Sequence, residues 1–258
     1  MLILLTNDDG IYAEGILMMS KHLTREHQVY VVAPDHEQSA TGHAITMHRP
    51  LRAEKIQHMY GDTKGAWAVN GTPSDCVKLA VEALLKEDPP QLVISGINRG
   101  YNLGTDVLYS GTVSAAVEAV ILDLPAIAVS VGSTSGSPNF TLAASFTANL
   151  IKKLEVDKID KNTVLNLNFP DMEEKDIKGV RITSQGVRHY RNSFEKRVDP
   201  RGRTYYWLAG ELMKKDNLPD SDVVAVEQGY ISLTPLQFNL SHEGMMEKLR
   251  NWDIPWRR

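Results

Sequence analysis

The stretch that decides the fold is residues 1–10, MLILLTNDDG. Leu2–Thr6 is an apolar run without polar alternation, cut short by Asn7-Asp8-Asp9-Gly10. Such a run reads as a strand buried on both faces, the habit of parallel sheets. Next, Gly15–Arg25 carries Ile16, Leu17, Met19 and Leu23 at helical spacing, and Gln28–Ala33 is a Val-rich second strand ended by Pro34. The chain therefore opens β-α-β, the unit of a parallel sheet.

Working outward, the alternation continues. Residues 34–50 (PDHEQSATGHAITMHRP) form a long polar loop, and residues 51–70 read as short strands. Thr72-Pro73-Ser74-Asp75 announces a helix running to about Lys86: Thr72 caps, Pro73 suits the first helical position, and Asp75 sits three after the cap. Gln91–Ser95 is a third buried strand, leading into the Gly- and Asn-rich segment GINRGYNLGTDVLYSGT. A helix is expected from about Val113 to Leu122, a strand at Ala126–Val131, a helix at Asn139–Leu154 and a strand at Val164–Phe169. After about residue 180 the helical periodicity fades. Hairpin-like strands are expected around Arg181–Ser184 and Tyr205–Ala209. A further hairpin is expected with Val223–Ala225 and Tyr230–Leu233 flanking Glu227-Gln228-Gly229, then a short amphipathic helix at about Ser241–Trp252.

Composition narrows the class. At 258 residues, with 42% hydrophobic and 23% charged side chains, the chain is an ordinary globular protein. It is long enough to fold without a metal or disulfide staple, so a bound metal would be functional. A net charge of −4 argues against a general nucleic-acid binder. The only cysteine, Cys76, excludes an internal disulfide and a Cys-rich zinc site and points to a reducing cytoplasm. Leu2–Leu5 is too short for a signal-peptide core, and no stretch approaches the roughly 20 apolar residues of a membrane span. The expectation is a cytoplasmic protein with no membrane or stable nucleic-acid partner.

Open parallel sheets bind ligands at the carboxyl ends of their strands, and three polar segments fall at that edge. Asp8 and Asp9 are adjacent acids whose mutual repulsion a cation would relieve, and oxygen ligands suit Mg²⁺ or Mn²⁺; a tight turn accounts for the same Asn-Asp-Asp-Gly residues. Ser39 offers a neutral oxygen, with Gly42 and His43 in the same loop. Asn98 offers a carbonyl oxygen. Ser110-Gly111-Thr112 precedes an apolar helix, where hydroxyls and free N–H groups make an anion site, although ordinary capping needs the same residue types. Arg188–Arg203 holds six basic and two acidic residues, read as a basic flap or, preferably, as a solvated hairpin or subunit contact.

The absence of G-x-G-x-x-G after the first strand argues against a dinucleotide oxidoreductase. Adjacent acids rather than D-x-D argue against a phosphatase that uses an aspartate nucleophile. The segments TNDDG (6–10), APDHEQSATGHAIT (33–46), NGTPSDCV (70–77), SGINRGYNLGTDVLYSGTVSAAVEA (95–119) and DVVAVEQGYISLTPLQ (222–237) together resemble the SurE family, metal-dependent nucleoside monophosphate phosphatases. The resemblance implies an α/β, Rossmann-like three-layer core to about residue 180. The remainder, about 181–258, would be a β-hairpin and helix extension used in homodimers or homotetramers, all within one domain. It implies one divalent cation (Mg²⁺ or Mn²⁺) per subunit on Asp8, Asp9, Ser39 and Asn98, and a phosphate site lined by Asn7, Ser110, Gly111 and Thr112. It further implies hydrolysis of 5′- and 3′-nucleotides and, as in some members, of short polyphosphate. Asp8, Asp9 and Asn98 are then the catalytic candidates, and Asn7, Ser39, Gly42, His43, Asn98, Ser110, Gly111 and Thr112 the substrate-binding ones. A non-catalytic nucleotide or metal sensor using the same pocket is the alternative.

Overall fold

The structure is a computed structural model that describes residues 1–56, 58–133, 138–191, 194–213, 216–252 and 254. The strands are β1 (Leu2–Thr6), β2 (Gln28–Pro34), β3 (Ala53–Lys55), β4 (Gly65–Val69), β5 (Leu92–Arg99), β6 (Ala126–Val131), β7 (Thr163–Phe169), β8 (Val180–Ile182), β9 (His189–Arg191), β10 (Phe194–Val198), β11 (Thr204–Leu208), β12 (Glu211–Met213) and β13 (Ile231–Gln237). The helices are α1 (Glu14–Leu23), α2 (Pro73–Leu79), α3 (Gly111–Ile121), α4 (Phe140–Lys153), α5 (Asp222–Glu227) and α6 (Glu243–Arg250). Among the described residues nine strands form one sheet in the order β3-β4-β2-β1-β5-β6-β7-β13-β8.

The run from β4 to β7 is parallel throughout. Strand period decides the layers: side chains of successive residues face opposite ways. Ile3 and Leu5 therefore pack with Ile16, Met19 and Leu23 of α1 and Ala143, Ala144 and Ile151 of α4. Leu4 packs on the other face with Cys76 and Val77 of α2 and Val113, Ala116 and Val120 of α3. The result is the expected three-layer α/β core. The Thr72 cap is a reciprocal capping box with Asp75, and beyond Leu79 the helix continues as a wider π-type turn over Ala80–Leu84.

From β1 the chain winds first to β2 and β4 on one side, then to β5 and β6 on the other. The reversal opens a crevice beyond the carboxyl ends of β1 and β5, the place where such sheets bind ligands. There β5 runs longer than the expected Gln91–Ser95. Its register with β6 shifts between Ser95 and Asn98, where the strand bulges. Gly96 (φ +137°) permits the bulge, since a Cβ would lie 2.3 Å from the Val129 carbonyl oxygen. The bulge is in turn capped by α1, where a Cβ on Gly15 would lie 2.1 Å from the Ile97 carbonyl oxygen.

The C-terminal third corrects two expectations. Residues 222–227 are not a hairpin strand but helix α5, started by Ser221, whose side chain accepts the Val224 N–H. The β-branched content of DVVAVE suggests a strand, but the N-cap and burial of Asp222 override that preference. Likewise Val180–Ile182 is not a hairpin arm. It runs parallel to β13, which slots between β7 and β8. Residues 231–237 thus sit in the main sheet, inside the stretch expected to be extension. The true arm is the ribbon β9–β12, with β10 antiparallel to β11 and β9 to β12. Residues 192 and 193 of the basic run lie outside the described residues.

Candidate functional site

Thr6 and Ser95 are paired at the ends of β1 and β5, so the residues that follow them meet in the crevice. Asp8 is 4% exposed. Its Oδ1 accepts a hydrogen bond from the Thr112 hydroxyl. The first turn of α3 is pressed against this carboxylate: a Cβ on Gly111 would lie 2.8 Å from Asp8 Cβ and 2.9 Å from Oδ2. Glycine is therefore required there by contact. Asp9 is half-buried, and its Oδ2 accepts the Arg99 backbone N–H at 3.0 Å, which fastens it beside Asn98. The Gln38 N–H donates to the Asp8 carbonyl at 2.8 Å, bringing the loop of Ser39 to the same edge.

Electrostatics sets these two acids apart. Burial lifts the Asp8 carboxyl to about 6, with the Asp9 charge adding to the rise and the Thr112 hydroxyl opposing it. Burial also raises Asp9, with Glu37 adding and the Arg99 N–H opposing. Two neighbouring carboxylates that are both costly to ionise call for a cation or a proton. Asn7 is fully buried, its side-chain N–H donates to Gly10 O at 2.9 Å, and its Oδ1 has no protein partner among the described residues. Asn98 donates its side-chain N–H to Gly100 O at 3.0 Å, which leaves its carbonyl oxygen open to a ligand. Ser39 is exposed and donates to Glu37 Oε1 at 2.7 Å. Two carboxylates and two neutral oxygens fit a hard divalent cation. No group of three or more His, Cys, Asp or Glu suited to a metal occurs among the described residues.

Residues 3–192 match the family model described as "Survival protein SurE". The chain belongs to the SurE family. The SurE chain is 52% identical to the "5'-nucleotidase SurE" of Gloeobacter violaceus, over 98% of this chain and 97% of that one. It is 49% identical to the "5'-nucleotidase SurE" of Trichodesmium erythraeum, with 98% of each covered. A crystal structure of the SurE protein from Aquifex aeolicus superimposes with a TM-score of 0.83 at 38% identity, covering 97% of this chain and 98% of that one.

The remaining sequence candidates lie along α3 and the segment that leads to it. Ser110 caps α3 by accepting the Val113 N–H at 3.0 Å, so the capping role holds while the hydroxyl proton stays available. Gly42 adopts φ +57° and donates to Tyr109 O at 3.0 Å, stitching its loop to the approach of α3. His43 Nε2 pairs with Glu118 Oε2 at 2.7 Å. Glu118 is almost wholly buried on α3. Burial pushes its carboxyl up, and the His43 and Lys78 contacts outweigh that and hold it below its ordinary value. A second pin is Asp75, which accepts the Thr46 N–H (2.9 Å) and hydroxyl (2.6 Å).

Sequence reasoning missed the scaffold behind the crevice. Asn102 N–H donates to Asn168 Oδ1, its side chain donates to Ser130 Oγ, and its carbonyl accepts from both Asn166 and Asn168. Buried Asp222 accepts the Gly104 and Gly186 N–H groups, each at 2.8 Å, and burial raises its carboxyl against those bonds. Asp106 accepts from Arg188 and from the Tyr190 hydroxyl, both at 2.7 Å, so the basic run is fastened to the loop before α3. The available signal was Asn166-Leu-Asn168: two amides at period 2 in an apolar strand.

Proposed function

We propose that the chain is a divalent-metal-dependent 5′-nucleotidase, which hydrolyses nucleoside 5′-monophosphates, and also 3′-nucleotides and short polyphosphate, to release phosphate. The observation that carries this reading is Asp8 held against the start of α3, with Asp9 beside it on the Arg99 N–H, at the switch point of the sheet. Asp8, Asp9, Ser39 and Asn98 would hold the cation, Mg²⁺ or Mn²⁺. When bound, it supplies Lewis-acid charge to the phosphoryl group and makes a water more acidic. Asp8 or Asp9 orients that water and takes its proton as its oxygen attacks phosphorus. The ester P–O bond breaks, and the nucleoside leaves as the alcohol after gaining a proton. Asn7, Asn98, Ser110 and the N–H groups at the start of α3 hold the phosphoryl oxygens, where the helix dipole favours negative charge.

Phosphate release from nucleoside monophosphates, measured with Mg²⁺ or Mn²⁺ and again with chelator, tests the reading; 3′-nucleotides and short polyphosphates complete the panel. Nucleotide binding without release would overturn it in favour of a sensor. We further propose a cytoplasmic homodimer or homotetramer built through the β9–β12 arm and the C-terminal helix. Supporting this, Phe194, Trp207 and Leu208 on the arm and Met246 on α6 are exposed. No helix among the described residues is long and apolar enough to cross a membrane.

A further inference from the structure

Glu118 is a buried carboxylate that the hydrolysis described above leaves without a task. It lies on α3, 4% exposed, and accepts a hydrogen bond from His43 Nε2 at 2.7 Å. Its other oxygen stands 3.5 Å from Lys78 Nζ of α2. Carboxylates this enclosed are rare unless paired. Here the pairing crosses from a helix to the loop that carries Ser39.

That loop makes a tight turn at Ser39. On one side of it Gln38 donates its N–H to Asp8 O at 2.8 Å, and on the other Gly42 donates to Tyr109 O at 3.0 Å. Between them Ala40 adopts φ +57°, a left-handed conformation that residues with a Cβ rarely take. Such a turn persists where its surroundings hold it. Ser39 is exposed and donates to Glu37 of the same loop, a contact that does not hold the turn to the core. His43, four residues on, reaches a helix.

The helix it reaches is the one that touches Asp8. Gly111, in the first turn of α3, packs against that carboxylate, where a Cβ would lie 2.9 Å from Oδ2. Glu118 follows seven residues later, on the same face and about 10 Å further along the axis at about 1.5 Å per residue. One rigid rod thus meets Asp8 with its first turn and grips the Ser39 turn with its third. We propose that Glu118 is a positioning residue for the cation site, holding Ser39 in place relative to Asp8 through His43. The proposal rests on the metal-dependent nucleotidase reading and adds to it a residue outside the ligand set.

Calorimetric titration of Mn²⁺ into the full-length protein, without substrate, reads the cation site directly. Glu118→Ala should weaken Mn²⁺ binding about 10–100-fold, the usual cost of losing the group behind a metal ligand. Glu118→Gln keeps an oxygen that accepts the His43 N–H and should restore most of the affinity. His43→Ala should weaken binding by the same factor as Glu118→Ala, and the double variant no further, since both remove one contact. A Glu118 that only supports the fold would lower the thermal melt and leave the Mn²⁺ affinity of the folded protein unmoved. That result, or additive losses in the double variant, overturns the proposal. Should Glu118→Ala fail to fold, His43→Ala and His43→Gln, which restores a donor, carry the same test from the partly exposed side of the pair. Phosphate release from adenosine 5′-monophosphate by the wild type tests the parent reading separately. Mn²⁺ binding without release overturns the nucleotidase and leaves the role of Glu118 to stand on the affinities.

Discussion

The carboxyl edge of β1 and β5 buries acids, whereas the β9–β12 arm exposes rings. Asp8 and Asn7 are almost wholly enclosed, yet Trp207 and Leu208 are 60% and 75% exposed. Both reverse the usual sorting, and the informative departures from it are buried polar groups and exposed apolar ones. The costs differ in kind. At the crevice the expense is electrostatic and falls on single residues, so one substitution should change much. On the arm it is spread over many apolar contacts with water, so one substitution should change little within a subunit.

Asp8→Asn is the sharpest way to break that contrast. It should lower phosphate release from nucleoside monophosphates by on the order of 10³-fold, as loss of a group stabilising developing charge does, with an unchanged circular dichroism spectrum. Full activity in that variant would remove the crevice from the account. The same substitution should stabilise the metal-free protein. Because the folded-state value of about 6 lies above the ordinary 3.8, the fold favours the protonated acid. Stability of the chelated protein therefore falls as pH rises from about 4 to about 6 and stays lower above that, by on the order of 3 kcal/mol. Urea melts at pH 5 and pH 8 should show about half of this loss in the wild type and its absence in Asp8→Asn.

Asp106→Ala leaves Arg188 and Tyr190 without their shared acceptor, and should cost about 1–3 kcal/mol in the same melts. It should also speed proteolysis of the arm, since Asp106 fastens the root of β9 to the loop before α3. Smallest of all, the pair Trp207→Ser and Leu208→Ser should shift the melt by no more than about 0.5 kcal/mol each within a subunit, while lowering the molar mass measured by light scattering. A large loss of subunit stability with unchanged mass would mean that the arm packs on its own core, erasing the contrast.

Much of this was legible in the amino-acid order. The β-α-β opening, the Thr72–Asp75 capping box and the placement of Asp8, Asp9 and Asn98 at one edge all rest on local rules of period and capping. What escaped depends on pairings far apart in the chain. Nothing near Val180–Ile182 tells that its partner is Ile231–Leu233, and DVVAVE reads as a strand until Asp222 is seen accepting N–H groups from Gly104 and Gly186. Asp8, Asp9 and Asn98 meet at one edge, but their supports were not foreseen. Glu118 behind His43 and the asparagines behind Asn102 sit on elements that ordinary packing would have explained without them.

The position of β13 bears on how the molecule is made. β7 is complete at residue 169 and β8 at residue 182, but the strand that joins them spans Ile231–Gln237. While a ribosome is still extending the chain through the arm, β7 is an open edge with unpaired N–H and C=O groups, and β8 has no sheet to join. Such edges template pairing with other chains. A chain cut off anywhere between residues 183 and 230 would keep every proposed metal ligand, and would still leave the synthesis machinery with a sticky border that only the last segment seals.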